Sequence, residues 1–379
     1  MIIEALVATP VRVPRLGRFL PRTAKGETAV NDYVILEVRC AGAVVGVGEV
    51  TCSPRWNGEE PAGTVHLLHD VLDEALRGLD PTDWSAVADR FDTCVRGRPF
   101  LRAGVEMACL DAVGRAHGLG VAALLGGARR SEVATKLVLP ARDPDVVAAM
   151  AADALALGAR CLKVKVGVGV AGDLARLDAV LAAAAAAGHE PLHLTVDANE
   201  GWPSDRPGLL AAAVDERGVA AVEQPFPRAA WDATARFRAA TTAAVVADES
   251  VWGARDVHDA QRTGAFDVVA LYPGKCGGLH RTVRLAQAAR DLGLGVTLGS
   301  NLELGPGAAA LAHVAAVVPE LSAAIPSDLI GPLYAEHSLL VDDSFVRWDG
   351  ASVPSGPGLG VDLDPGALAE YAVRPQALR

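Results

Sequence analysis

Three stretches of the chain read alike: LHLTVDAN at residues 192–199, VAAVEQPF at 219–226 and AAVVADES at 243–250. Each is a run of small and β-branched apolar residues that arrives at an acid, Asp197, Glu223 and Asp248 in turn. Strands covered on both faces have this composition, and such strands belong to parallel sheets. The acids fall 26 and 25 residues apart, which is the length of one strand plus its returning helix. Chance placement would rarely set three carboxylates in such register.

Working outward, the same alternation of short apolar runs with alanine-rich helical stretches continues to both sides. It predicts strands at 135–141, 161–167, 192–199, 220–226, 244–250, 268–274, 295–303 and 327–331. Eight strands joined by crossover helices make an α/β fold of the TIM-barrel type. Helix punctuation agrees: Asp143 can cap with Pro144 at the first helical position, and Gly158 stops that helix before the next strand. The alanine run at 182–187, closed by Gly188, reads as an outer helix. Before the barrel, residues 2–14, 33–40 and 43–50 read as an antiparallel sheet, with helices at 64–77 and 101–117. The organisation expected is an N-terminal α+β domain over residues 1–125, a barrel over 126–335 and a C-terminal segment over 336–379 returning to the first domain. The polar, Gly-, Pro- and Arg-rich stretch 15–31 reads as a mobile loop.

Bulk properties narrow the class. With 379 residues and 51% hydrophobic content the chain can bury a large core, and no apolar run reaches the roughly 18 residues that would span a bilayer. A cytoplasmic address is expected, with no membrane partner. The formal net charge of −11 argues against a nucleic-acid partner. Six cysteines lie scattered without a CxxC pair, so neither a zinc site nor a disulfide framework is expected.

In a barrel, residues at the C-terminal ends of different strands converge on one mouth. Asp197, Glu223 and Asp248 would repel one another there unless a divalent cation lay between them. Oxygen donors without Cys or His suit Mg²⁺, with Mn²⁺ as a second choice. On the preceding strand, Lys163 and Lys165 are two residues apart, so both side chains point to the barrel interior. Lysines aimed inward need partners, and one of them can serve as a base. Lys165 is assigned as the base. Lys163 is assigned as its positively charged neighbour, which favours the neutral amine and binds carboxylate.

The series Lys163-x-Lys165, Asp197-x-Asn199, Glu223-Gln224-Pro225 and Asp248-Glu249-Ser250 resembles the enolase superfamily, in particular its muconate-lactonising subgroup. The likeness extends to Glu106, Asp111 and the Leu124-Leu125-Gly126-Gly127 segment, to Gly299-Ser300-Asn301-Leu302-Glu303, and to the closing Gly356-Pro357-Gly358-Leu359-Gly360. It implies a modified TIM barrel of the (β/α)₇β type with an N-terminal capping domain. The implied chemistry is Mg-dependent removal of the proton α to a substrate carboxylate, through an enediolate. Asn199, Glu249, Ser300, Asn301 and Glu303 would surround the site. Arg15, Arg18, Arg22, Arg55 and Trp56 would lie on loops over the mouth and read the far part of a small carboxylate substrate. A homo-oligomer is also implied.

The chain departs from the family at one position. Aligned on Gly277-Gly278, the second catalytic lysine of the subgroup is replaced by Tyr272, and Lys275 stands three residues later. Tyr272 and Lys275 are therefore both candidates for the group opposite Lys165. If neither reaches the substrate, cycloisomerisation or dehydration with one base is favoured. If one does, racemisation or epimerisation of N-substituted amino acids or dipeptides is possible. A family member reduced to a binding or structural role is the third reading.

Overall fold

The structure, a computed structural model, describes residues 1–17 and 22–374. Seven strands form one parallel sheet in chain order: Leu137–Leu139, Cys161–Lys165, His193–Asp197, Ala221–Glu223, Ala244–Ala247, Val268–Leu271 and Gly295–Leu298. Register is continuous across the acids, with Lys165 beside Asp197 and Asp197 beside Glu223. The strands are shorter than the sequence reading had them, because the chain turns sharply after each acid. Asn199, Glu200, Gln224 and Leu302 all adopt positive φ without being glycine, at 42°, 69°, 39° and 58°. Such backbone is held only where surrounding contacts impose it, and here it gathers at one end of the barrel.

The eighth strand, expected over 327–331, is a correction. It is reduced to an isolated parallel bridge between Thr135 and Ser327, supported by Lys136 N to Ser327 O at 3.0 Å and Asp328 N to Leu298 O at 2.8 Å. Pro326 offers no N–H to a ladder, and the chain enters the short helix Gly331–Tyr334 almost at once. Gly331 is packed so closely that a Cβ would lie 1.7 Å from Glu303 O. The bridge nevertheless closes the ring between its first and last strands.

The N-terminal sheet is antiparallel, Ile3–Pro14 against Val30–Cys40 against Val44–Cys52. Helix Pro99–His117 lies on the third of these strands, and Gly48 permits the approach: a Cβ there would sit 2.1 Å from Gly104 O. The expected helix at 64–77 runs from Pro61 to Leu76 with a π-helical turn over Leu67–Leu72. Part of the expected loop 15–31 is a small hairpin, Arg22–Thr23 with Gly26–Glu27. Arg22 O accepts from Ala141 N at 2.7 Å and Lys25 pairs with Glu200, so the hairpin is fastened to the barrel at the mouth. Near the C-terminus, helix Pro365–Tyr371 follows the barrel, and Val373 N returns to Pro10 O at 2.8 Å.

Candidate active site

A cavity of about 460 Å³ opens where the barrel mouth meets the N-terminal sheet. Lys163, Lys165, Asp197, Asn199, Glu223, Asp248 and Asp328 line its barrel side, and Arg15, Asn31, Arg55 and Trp56 are among the residues closing it from above. The three acids on consecutive strands thus share one chamber with both lysines of the KxK pair.

Each acid faces an ammonium group. Lys165 Nζ lies 2.5 Å from Asp197 Oδ2 and 3.0 Å from Asn199 Oδ1. Lys163 Nζ is 3.2 Å and 3.3 Å from the two oxygens of Glu223 and 2.6 Å from Asp328 Oδ2. Burial opposes the charge on Lys163, but Asp328, Glu223 and Asp197 outweigh it and hold its ammonium well above the ordinary range. Burial likewise opposes ionisation of Asp197, yet Lys165 and Lys163 keep its carboxyl below the usual value. At Glu223 burial prevails and pushes the carboxyl up to about 7. Glu249, bonded to Asn199 Nδ2 at 3.2 Å, is raised to about 8 by burial and by the charges of Asp248 and Asp197.

Lys275 and Tyr272 stand behind the cavity wall rather than on it. Lys275 is fully buried in the short helix Pro273–Cys276, where its Nζ donates to Asp248 Oδ1 at 2.7 Å, Asp248 O at 2.8 Å and Ala270 O at 2.7 Å. Those three acceptors use all three ammonium protons. Tyr272 is fully buried against Trp56 and Phe100, and among the described residues its hydroxyl has no hydrogen-bond partner. Burial raises that phenol well above its ordinary value. Trp56 stacks on Trp252 with ring centroids 5.1 Å apart.

The remaining sequence candidates divide. Ser300 Oγ donates to Glu303 Oε2 at 2.5 Å, and Asn301 N donates to Glu303 Oε1 at 3.1 Å, so Glu303 organises the turn that carries two lining residues. Arg22 is exposed on the hairpin and lies outside the cavity lining. Arg18 lies outside the described residues. Sequence reasoning missed Asp328 and Lys136. Asp328 is shared by Lys163 and by the buried Lys136, whose Nζ is 3.1 Å from Oδ1. An acid on an expected barrel strand was the available signal.

Among the described residues, no three Asp, Glu, His or Cys side chains stand as a preformed metal cluster, since each acid is turned to a lysine. The donor chemistry still fits a hard divalent cation. Asp197, Glu223 and Asp248 offer oxygen only, and Glu249 Oε2 is buried with no hydrogen-bond partner among the described residues. In the barrel mouth Lys163, Lys165 and Lys275 pair with Glu223, Asp197 and Asp248, while Glu249 and Glu303 have no lysine partner among the described residues, so carboxyl oxygens outnumber the cations there.

Comparison with known proteins fits this arrangement. Residues 146–367 match the Enolase C-terminal domain-like family, and residues 8–126 match the mandelate racemase / muconate lactonizing enzyme N-terminal domain. The chain belongs to the enolase superfamily, in its muconate-lactonising subgroup. A chloromuconate cycloisomerase from a Pseudomonas species is 31% identical over 98% of this chain and 99% of the relative. An N-succinyl-L-Arg/Lys racemase from Bacillus cereus is 28% identical, covering 98% of each. The solved muconate lactonizing enzyme of Pseudomonas fluorescens, complexed with muconolactone, superposes with a TM-score of 0.92 at 30% identity, covering 98% of this chain and 99% of that one. This subgroup member is therefore an isomerase or lyase with a modified TIM barrel under an N-terminal capping domain. Enzymes of the superfamily are in general divalent-metal dependent.

Proposed function

We propose that this enzyme removes the proton α to a substrate carboxylate with Lys165 as base, in a cycloisomerisation of the muconate-lactonising kind. Asp197, Glu223 and Asp248 would hold Mg²⁺ or Mn²⁺, which when bound withdraws charge from the substrate carboxylate. Lys163 keeps its proton and places a fixed positive charge beside Glu223 and Asp197, where a carboxylate gaining electron density is stabilised. Lys165 has two acceptors, so one N–H direction is left for the cavity. After losing a proton to solvent, its amine takes the α-proton. The C–H pair then forms the new double bond as the lactone C–O bond breaks, and the reverse sequence closes the ring. The hairpin at 22–27 and the turn bearing Arg55 and Trp56 limit water at the reacting carbon.

The observation that carries this reading is the commitment of Lys275 to Asp248 and Ala270, with Tyr272 behind the wall. One base is left facing the cavity. Racemisation needs acid and base on both faces of the carbanion, whereas cycloisomerisation runs with one. Muconolactone and both enantiomers of an N-succinyl amino acid, incubated with enzyme and Mg²⁺ in D₂O and followed by proton NMR, separate the two. Loss of the muconolactone α-proton signal with at most one N-succinyl enantiomer exchanging is the expected result. Exchange and interconversion of both enantiomers would instead establish a racemase.

A further inference from the structure

One buried lysine of the barrel takes no part in the cavity wall. Lys136 directly precedes the first barrel strand, Leu137–Leu139, whose Val138 pairs in register with Lys163. Side-chain alternation therefore sends Lys136 into the barrel interior, one layer beneath Lys163. It is 1% exposed and lies outside the cavity lining, which includes Lys163, Asp328 and Val138. An ammonium buried so deeply is costly unless it is paired and hydrogen-bonded.

Its partners belong to the segment that stands where an eighth strand was expected. Lys136 Nζ donates to Pro326 O at 2.6 Å and lies 3.1 Å from Asp328 Oδ1. Asp328 Oδ2 accepts from Lys163 at 2.6 Å, so one carboxylate separates two ammonium groups. Pro326 gives this segment no N–H for a ladder, and the Lys136 side chain supplies a bond to its carbonyl instead. Burial opposes ionisation of Asp328, but Lys136 and Lys163 outweigh it and keep the carboxyl below its usual value. The trio carries one net positive charge. Without Lys136, Asp328 and Lys163 would form a neutral pair, and a substrate carboxylate would meet little net attraction from Lys163. Stability alone does not call for this lysine, because Asp328 would keep Lys163 as its partner and an apolar side chain at 136 would bury no charge.

We infer that Lys136 is a positioning residue for the reaction: from the layer beneath the mouth it neutralises Asp328 and holds the segment that carries it, which leaves Lys163 a full positive charge toward the substrate carboxylate. This rests on the proposed role of Lys163 as the cation beside a carboxylate that gains electron density. The charge of Lys136 also reaches Glu223, where burial raises the carboxyl and both Lys163 and Lys136 oppose that rise. A change of charge at 136 is therefore felt by a residue proposed to hold the metal ion.

Calorimetric titration of Mg²⁺ into wild type, Lys136→Met, Asp328→Asn and the double variant tests this by charge. Lys136→Met removes a positive charge near the acids and should bind Mg²⁺ at least about threefold more tightly. Asp328→Asn should bind it at least about threefold more weakly, and the double variant, whose net charge is that of wild type, should return to within about twofold of wild type. Exchange of the muconolactone α-proton in D₂O should meanwhile slow at least about tenfold in Lys136→Met. Damage to the fold would weaken Mg²⁺ binding in every variant, so tighter binding with slower exchange separates charge from structure. Lys136→Gln, which keeps a donor for Pro326 O without the charge, takes the place of Lys136→Met if that variant fails to fold. Mg²⁺ affinity unchanged or weakened on loss of the lysine charge, or exchange at the wild-type rate, overturns the inference. Exchange lost in Lys165→Ala together with equal Mg²⁺ affinity in wild type and Lys136→Met would remove the role of Lys136 and leave the base standing. A graded Mg²⁺ series with exchange surviving Lys165→Ala would remove the base and leave the role of Lys136 standing.

Discussion

Asp328 shows how one residue can govern the charge state of a site it was not expected to join. Its two oxygens meet Lys163 at 2.6 Å and Lys136 at 3.1 Å, all three side chains being buried. Removing one partner from such a cluster leaves uncompensated charge, at a typical cost of about 3–5 kcal/mol. Asp328→Asn should therefore lower unfolding stability by about 3 kcal/mol in urea titrations. Turnover should fall as well, because Lys163 would lose its closest anion and shift within the cavity. A variant with wild-type stability would show that the cluster does not depend on this carboxylate. The KxK pair and the three strand-end acids could be read from alternation and spacing, since both are local properties of a strand. The Asp328 pairings could not, as Lys163 is 165 residues away in sequence. The sequence leaves Lys275 as a candidate for the group opposite Lys165. The structure buries it, because the chain after Leu271 winds into a short helix that points it back at Asp248.

At the scale of elements, Glu49 joins the capping sheet to the barrel. Its carboxyl is buried and accepts from Leu304 N at 2.7 Å and Gly307 N at 2.9 Å, at the start of helix Gly305–Val317. Burial outweighs those two bonds and pushes the carboxyl from 4.5 up to about 8. The folded state thus keeps a proton that the unfolded chain releases above about 4.5, so stability falls as pH rises from there toward about 8. The slope from this one group reaches about 1.4 kcal/mol per pH unit at most. Urea midpoints at pH 5, 6, 7 and 8 should decline less steeply for Glu49→Gln than for wild type. Parallel curves would mean that Glu49 is ionised throughout. The barrel strands were legible because each βα unit carries its own apolar run and terminator. The eighth was overread, since an apolar segment between Pro326 and Gly331-Pro332 has too little free backbone to extend a ladder.

Across the whole molecule, the acidic excess in the barrel mouth has a consequence for stability. An ion that binds the folded chain and not the unfolded one stabilises it by about 2.7 kcal/mol at a hundredfold excess over its dissociation constant. Mg²⁺ should therefore raise the melting temperature of the wild-type enzyme, and Glu223→Gln should lose most of that rise. An equal rise in both would place the ion elsewhere. The order of strands and the separation of cap from barrel were available from the sequence. The joint between them was not, because contacts such as Tyr33 with Leu302 span 269 residues. The central claim is that the Lys165 amine removes a proton next to a carboxylate held in this chamber. Its most direct test is the rate of α-proton exchange of muconolactone in D₂O with Mg²⁺, compared between wild type and Lys165→Ala, with Mg²⁺ affinity measured on both. The expected result is a loss of at least about 10²-fold in exchange with Mg²⁺ affinity retained, whereas exchange at the wild-type rate in Lys165→Ala would contradict it.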